Sequence, residues 1–190
     1  VGAFDVINKT KVFSSIDKAV EEFNIVISLS ARKRDINKKN INFKDLYKLL
    51  NTRKNLKFGF MFGPEASGLS NYDLSFSNYI LQIPTSKKFK SLNLSHSVTI
   101  ICFEIFKLLN GVFFKKKSIN LKVSSKKKII SFTNHLTNLL EKKGFFVPIE
   151  KKKSMLLNIN NLIYRLEPND KELRILSSII STLSKKNSKP

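Results

Sequence analysis

Apolar residues in the first half of the chain follow two alternating patterns. In SIDKAVEEF, residues 15–23, they recur every three or four positions, which predicts a helix. FKDLYKLL at 43–50 shows the same spacing. Three uninterrupted apolar runs are typical of strands buried on both faces of a parallel sheet: NIVISL (24–29), KFGFMF (57–62) and YILQI (79–83). Helices that alternate with strands through short loops predict an α/β fold with a parallel sheet.

The remaining segments of this half predict loops and turns. VGAFDVI at the start has the pattern of turn and strand material. SARKRDINKKN at 30–40 predicts a basic loop, and NYDLS at 71–75 predicts a polar turn. Because the pattern is already under way at Val1, we expect the natural protein to continue upstream.

A longer helix is predicted from residue 92 to residue 109, where apolar residues fall at steps of three and four. Asn93 or Ser91 is expected to cap its first turn by accepting a hydrogen bond from a free backbone amide. Cys102 lies on the apolar stripe, so we expect a buried, unreactive thiol.

The second half of the chain changes in composition. GVFFKKKSINLKVSSKKK at 111–128 contains two triple-lysine runs and predicts a basic linker. The sequence beyond it is patterned for three helices, the first of which is expected to end at Gly144. Three parts are therefore predicted: a core at 1–111, a basic linker at 112–127 and a small all-α domain at 128–190.

Composition and charge narrow the partners. Among the 190 residues, 35 are Lys or Arg and 14 are Asp or Glu, which gives a net charge of +21 and favours a polyanionic partner. A single cysteine excludes an internal disulfide and a cysteine-rich metal site. We therefore expect no metal site. We expect no membrane partner either, because no apolar run approaches about 18 residues, and we expect a cytoplasmic location.

The stretch FGPEASGLS at 62–70 has the glycine spacing of a phosphate-binding P-loop. A P-loop requires a lysine after its second glycine, and this chain has Leu69 there, with Glu65 inside the loop. A triphosphate site is therefore excluded. Glycines at the carboxyl end of a buried strand still fit either a ligand site or a turn that needs glycine for geometry alone.

A second stretch decides between these alternatives. FGPEASGLSN followed by IPT, a spacer, SLNLS and a helix resembles motifs 2 and 3 of the SPOUT methyltransferases, in their SpoU (TrmH) branch. The resemblance covers most of residues 2–110. It implies a sheet with a deep trefoil knot, here truncated at the N-terminus, an S-adenosyl-L-methionine site within that knot, and a homodimer.

The loop SARKRD and the helical tail narrow the resemblance to the TrmJ-type tRNA methyltransferases, which 2′-O-methylate nucleotide 32 of the anticodon loop. The function implied is that of an S-adenosylmethionine-dependent tRNA (cytidine/uridine-2′-O-)-methyltransferase. Two alternatives stay open. One is a catalytically inactive RNA-binding homologue, and the other is a 23S rRNA 2′-O-methyltransferase of the same branch.

The resemblance also assigns residues. Cofactor contacts are implied for Leu29, Ser30, Ala31, Gly63, Ile83, Lys90, Ser91 and Leu92. Catalytic candidates are Glu65, Ser91 and Asn93, and candidates for RNA contact are Arg32 and Arg34. A motif 1 arginine, which the family places upstream of these motifs, is expected in a segment before Val1. The chemistry needs alignment of the ribose hydroxyl with the methyl group and help with loss of the hydroxyl proton.

Overall fold

Four parallel strands form the centre of the molecule, which we describe from a computed structural model. The structure describes residues 3–31, 36–86, 88, 91–110 and 122–184. Its elements in chain order are α1 (Phe4–Asn8), α2 (Ile16–Val20), β1 (Ile25–Leu29), β2 (Lys39–Ile41), α3 (Phe43–Thr52), β3 (Phe58–Met61), α4 (Asn71–Ser75), β4 (Tyr79–Leu81), α5 (Leu94–Leu109), α6 (Lys126–Lys142), a 3₁₀ turn (Ile149–Lys151), α7 (Lys152–Leu166) and α8 (Asp170–Ser184).

The sheet has the strand order β2-β4-β1-β3. β1 lies inside it, pairing with β3 from Ile25 opposite Phe58 and with β4 from Ile27 opposite Tyr79. Because helices cover both faces, the first three residues of β1 are at most 1% exposed. This parallel sheet and the helices of the C-terminal part confirm the predicted fold class, while the trefoil knot stays an implication of the resemblance.

Three short elements correct the sequence-based expectations. The edge strand β2 begins at Lys39, within the segment predicted as a basic loop at 30–40, and only its last residue, Ile41, is buried. The start of the chain forms the helix α1 and not turn and strand, and NYDLS forms the helix α4. Ser70 and Asp73 make a reciprocal capping box at the start of α4. All three elements are too short to show a clear hydrophobic period.

Helices α6 to α8 pack directly onto the sheet. Their buried residues form one core cluster with residues of the first half of the chain: Val20, Val26, Phe76, Ile129, Phe132, Ile163, Tyr164 and Leu173. At the start of α6 the Lys126 amide donates to the Phe23 carbonyl at 2.8 Å. The helical part and the sheet therefore share a core. The predicted domain boundaries stay a prediction, and most of the linker predicted at 112–127 lies outside the described residues.

Two buried lysines lie in this shared core. Lys126 is fully buried, donates to the Asn78 Oδ1 oxygen at 2.5 Å, and lies 4.3 Å from the centre of the Tyr164 ring. Lys38 donates to the carbonyls of Ser75 and Ser77 at 2.9 and 2.6 Å. Burial lowers the pKa of Lys38 to about 7 and holds the pKa of Lys126 well below its ordinary value.

Helix α5 is buried on one side and apolar on the other. Ile101 and Leu108 are buried in the core, whereas Phe103, Phe106 and Leu109 are 56–78% exposed. Cys102 is exposed as well, so its predicted burial is wrong. The apolar stripe is wider than the sheet can cover, which is why membership of the stripe did not ensure burial. No helix in the described part of the chain combines the length and apolar character needed to cross a membrane.

Candidate functional site

A cleft of about 770 Å³ opens at the carboxyl ends of β1, β3 and β4. Loops from three strand ends and the start of α5 enclose it, which is where parallel sheets place their ligands. Its lining comprises Leu29, Ser30, Ala31, Phe62, Gly63, Pro64, Glu65, Ser67, Gly68, Leu69, Leu81, Gln82, Ile83, Thr85, Ser91, Leu92, Leu94 and Ser97.

The glycine loop forms one wall of the cleft by folding back on itself. The Gly68 amide donates to the Pro64 carbonyl at 2.7 Å, and Gly68 has a positive φ of 66°. A Cβ atom on Gly63 would lie 2.3 Å from the Leu69 nitrogen and 2.4 Å from the Gly68 carbonyl carbon. Gly63 is therefore required by the path of the loop itself, whatever it contacts in the cleft.

Leu69 anchors the end of this loop in the core. It is 5% exposed and packs with Leu74 of α4 and Ile80 of β4. A P-loop would place a phosphate-binding lysine at this position, so the structure explains why an apolar residue stands there. Glu65 is the only charged residue among the described residues that line the cleft. This lining suits a neutral or cationic ligand better than a phosphate.

One hydrogen bond joins the glycine loop to the start of α5. The Asn93 Nδ2 donates to the Glu65 Oε1 oxygen at 2.5 Å. The Asn93 Oδ1 oxygen accepts from the Ser95 amide at 2.9 Å, which caps α5 and confirms one of the two predicted caps. Asn93 therefore uses both ends of its amide to fix the position of the Glu65 carboxylate relative to the helix.

The end of β1 is tied to the end of β4. The Ser30 amide donates to the Leu81 carbonyl at 3.2 Å. The Gln82 side chain donates to the Ala31 carbonyl at 3.5 Å. These two bonds set the separation of the two loops that face the glycine loop across the cleft.

The structure brings most of the predicted site residues together. Eight of them line the cleft: Leu29, Ser30, Ala31, Gly63, Glu65, Ile83, Ser91 and Leu92. Asn93 reaches it through Glu65. Lys90, Arg32 and Arg34 lie outside the described residues. The individual roles of all these residues stay predictions.

Sequence reasoning missed several polar residues of the lining. Gln82 and Thr85 follow β4, and Ser67 and Ser97 lie on the glycine loop and in the first turn of α5. Ser67 and Thr85 come after the strands predicted at 57–62 and 79–83, and that position was the available signal, whereas Gln82 and Ser97 fell inside a predicted strand and a predicted helix. Neither residue type nor spacing separates them from ordinary loop residues.

Comparison with known proteins identifies the family. The SpoU rRNA methylase family matches residues 1–103, which is more than half of the chain. The chain belongs to the SpoU rRNA methylase family. The predicted resemblance to the SpoU branch is confirmed, and so is the prediction of an RNA methyltransferase. A methyltransferase requires a methyl donor, and the cleft is the candidate place for it.

Curated relatives match nearly the whole chain. The tRNA (cytidine-2′-O-)-methyltransferase TrmJ of Methanocaldococcus jannaschii is 30% identical over 182 residues, covering 94% of this chain and 77% of the relative. The tRNA (cytidine/uridine-2′-O-)-methyltransferase TrmJ of Photorhabdus laumondii is 28% identical over 187 residues, covering 97% and 77%. The crystal structure of TrmJ from Z. mobilis ZM4 superposes with a TM-score of 0.85 at 26% identity, covering 97% of this chain and 78% of that one.

Proposed function

We propose that this protein is an S-adenosyl-L-methionine-dependent tRNA (cytidine/uridine-2′-O-)-methyltransferase that modifies nucleotide 32 of the anticodon loop. One observation carries the proposal. The cleft gathers, from three strand ends and one helix start, eight residues for which the family resemblance implies a place at the cofactor or the reaction centre. Relatives named as tRNA 2′-O-methyltransferases, at 24–30% identity over most of the chain, support the choice of substrate.

The cleft fits the cofactor in size and in charge. A volume of about 770 Å³ lies within the range of cofactor pockets. The loop after β1 and the segment after β4 would hold the adenosine and methionine parts, and the fold of the glycine loop at Gly63 would let its backbone approach them. S-adenosylmethionine supplies an activated methyl group on a positively charged sulfonium. Glu65 is the only charged residue of the described lining, and its negative charge would be opposite in sign to that sulfonium.

The residues of the chain would act mainly by positioning. The ribose 2′-hydroxyl is a weak nucleophile, so in-line alignment and acceptance of its proton are the tasks left to the protein. The Glu65 carboxylate is an acceptor within the cleft, and its bond to Asn93 fixes it at the start of α5. Ser91 also lines the cleft and would offer a hydroxyl to the ribose.

A homodimer is part of the proposal. The exposed apolar side of α5, with Phe103, Phe106 and Leu109, has the character of an obligate interface and not of a solvated surface. A chain with net charge +21 repels its own copy at long range. Burial of the exposed apolar side of α5 against a second copy would offset this repulsion. Lys107 on the same helix is already paired with Glu104, which reduces its own contribution to the repulsion.

A methyl-transfer assay tests this function. The full-length natural protein is incubated with labelled S-adenosylmethionine and either tRNA transcripts or 23S rRNA, and the methylated nucleotide is mapped. We expect 2′-O-methylation of tRNA at position 32. Methylation of 23S rRNA alone would move the substrate to the ribosome, and absence of transfer to either RNA would support an RNA-binding homologue without activity.

A further inference from the structure

A second charged surface lies along the starts of α6 and α8. It consists of two adjoining depressions of about 680 and 730 Å³ that share Lys128, Asp170 and Arg174. We name this surface the basic groove. Its described lining carries five cationic residues and one acid: Lys122, Lys127, Lys128, Lys171, Arg174 and Asp170.

The basic groove lies at the amino ends of the strands, whereas the cleft lies at their carboxyl ends. Asn24, which lines the groove, directly precedes β1, and Leu56 lies just before β3. The cleft begins at Leu29, at the other end of β1. A strand of five residues spans roughly 16 Å. The two sites are therefore separated by the length of the strands and cannot serve the same small molecule.

The single acid of the groove does not neutralise it. Asp170 is bound by Lys128 and by the Ser124 hydroxyl, each at 2.5 Å, and these bonds lower the pKa of its carboxyl. Lys171 and Arg174 are exposed and form no ion pair within 4 Å with any other described residue, although Arg174 also helps to lower the pKa of the Asp170 carboxyl. The groove therefore keeps a positive field that faces solvent.

The groove also contains neutral polar side chains. Ser125 lines one depression and Ser131 lines the other, whereas the Asn24 amide is bound to the Val123 carbonyl and the Lys57 amide and serves to hold the wall of the groove in place. Cations interspersed with hydroxyls along an open surface are the contacts that hold a phosphodiester backbone. A phosphate-sized ligand would need an enclosed pocket, whereas two joined open depressions fit an extended chain.

We propose that the basic groove binds the phosphodiester backbone of the RNA substrate at a stretch remote from the methylated nucleotide. The identity of the RNA rests on the proposed function. The groove contacts phosphates away from the reacting nucleotide, so it stabilises the enzyme–RNA complex and the transition state equally. Its loss should therefore raise the KM for RNA and leave kcat at saturating RNA unchanged.

The test compares two double variants of the full chain. Lys171→Gln with Arg174→Gln removes two cations of the groove. Lys142→Gln with Lys153→Gln removes two exposed cations that do not line it, and Lys142 ends α6 about 24 Å from its first residue. Thermal unfolding verifies that both variants fold, and tRNA binding is titrated from 50 to 200 mM salt.

We expect the slope of log Kd against log salt to fall by about 1 for each groove cation removed, thus by about 2, and the control to keep the wild-type slope. The KM for tRNA should rise in parallel only in the groove variant. A groove variant with the wild-type slope and KM would overturn the proposal even where the wild-type enzyme methylates tRNA. Conversely, if the salt slope of the groove variant falls as expected but the protein methylates no RNA, the groove proposal is supported and the proposed function is overturned.

Discussion

The cleft and the C-terminal helical part, residues 122–184, differ in the charge of the side chains that they carry. The described lining of the cleft has one ionisable side chain, Glu65, and no cation. The helical part carries five cations around the basic groove on its surface and the fully buried Lys126 in its core. A cationic cofactor and a polyanionic RNA need opposite surroundings. Placing them at opposite edges of one sheet allows each surface to keep its own electrostatic character.

The same comparison shows that separate surfaces do not mean separable parts. Deleting residues 122–190 would expose Val26 and Phe76, which are 1% and 6% exposed in the intact chain. Each buried side chain of this kind contributes about 1.5–3 kcal/mol, against a total stability of about 5–15 kcal/mol for a typical domain. We expect the truncated chain to lose its cooperative thermal transition, measured by circular dichroism. A truncated chain that melts cooperatively near the temperature of the full chain would show that the helical part is independent after all.

A substitution at Gly63 tests the role of the cleft. Gly63→Ala forces backbone atoms of Leu69 and Gly68 to move, because the added carbon would lie 2.3–2.4 Å from them. We expect methyl transfer to fall by about 100-fold, the effect of a displacement of about 1 Å. RNA binding at the basic groove should persist.

Gly68→Ala is the matched control for this substitution. A Cβ atom there meets nothing within 4 Å, and the strain comes only from the positive φ of 66°. We expect a loss of about 1–2 kcal/mol in the free energy of unfolding with most of the activity retained. Equal losses of activity in both variants would mean that the loop tolerates no substitution, and that close approach at Gly63 has no special role.

The lysines buried in the core shared by the sheet and the helical part can be tested by pH. The folded pKa of Lys38, about 7, lies below its ordinary value of 10.5, so the unfolded chain binds more protons between these two values. The free energy of unfolding should therefore rise with pH from about 7 to about 10.5, by at most about 1.4 kcal/mol per pH unit from this group. Lys38→Met should reduce that rise. Chemical denaturation at several pH values measures it, and an unchanged slope would show that Lys38 is not held neutral in the folded state.

Asn93 gives the smallest expected effect and separates two roles of one side chain. Asn93→Ala loses the cap of α5, worth about 1 kcal/mol, and the bond to Glu65, with about a tenfold loss of turnover. Asn93→Asp keeps the cap but can no longer donate to Glu65. The new carboxylate also repels that of Glu65, so we expect the Asp variant to be at least as slow as the Ala variant although it keeps the cap. Wild-type turnover in the Asp variant would reduce Asn93 to a helix cap.

The long elements could be read from the sequence because burial imposes a regular pattern on them. The runs at 24–29, 57–62 and 79–83 became β1, β3 and β4 with bounds that differ by two residues at most. The edge strand β2 left no such pattern, since one of its three residues is buried. Cys102 misled because α5 is apolar on its exposed side too.

The sequence allowed us to name most residues of the site but not the contacts between them. Motif resemblance named the residues, and the carboxyl-edge rule for parallel sheets explains why they meet. The bond between Glu65 and Asn93 joins residues 28 positions apart, and no local pattern encodes it. The basic groove is hidden for the same reason, because Lys122 and Arg174 become neighbours only when α6 and α8 pack together. A knot depends on the path of the whole chain and leaves no periodicity.

Isothermal titration of the full chain with S-adenosylmethionine tests the central claim most directly, because it examines the cleft without any assumption about the RNA. We predict saturable binding at one site per chain in the wild type and in the Lys171→Gln, Arg174→Gln variant, and its loss in Gly63→Ala. A cooperatively folded wild-type protein that gives no saturable binding would contradict the assignment of the cleft.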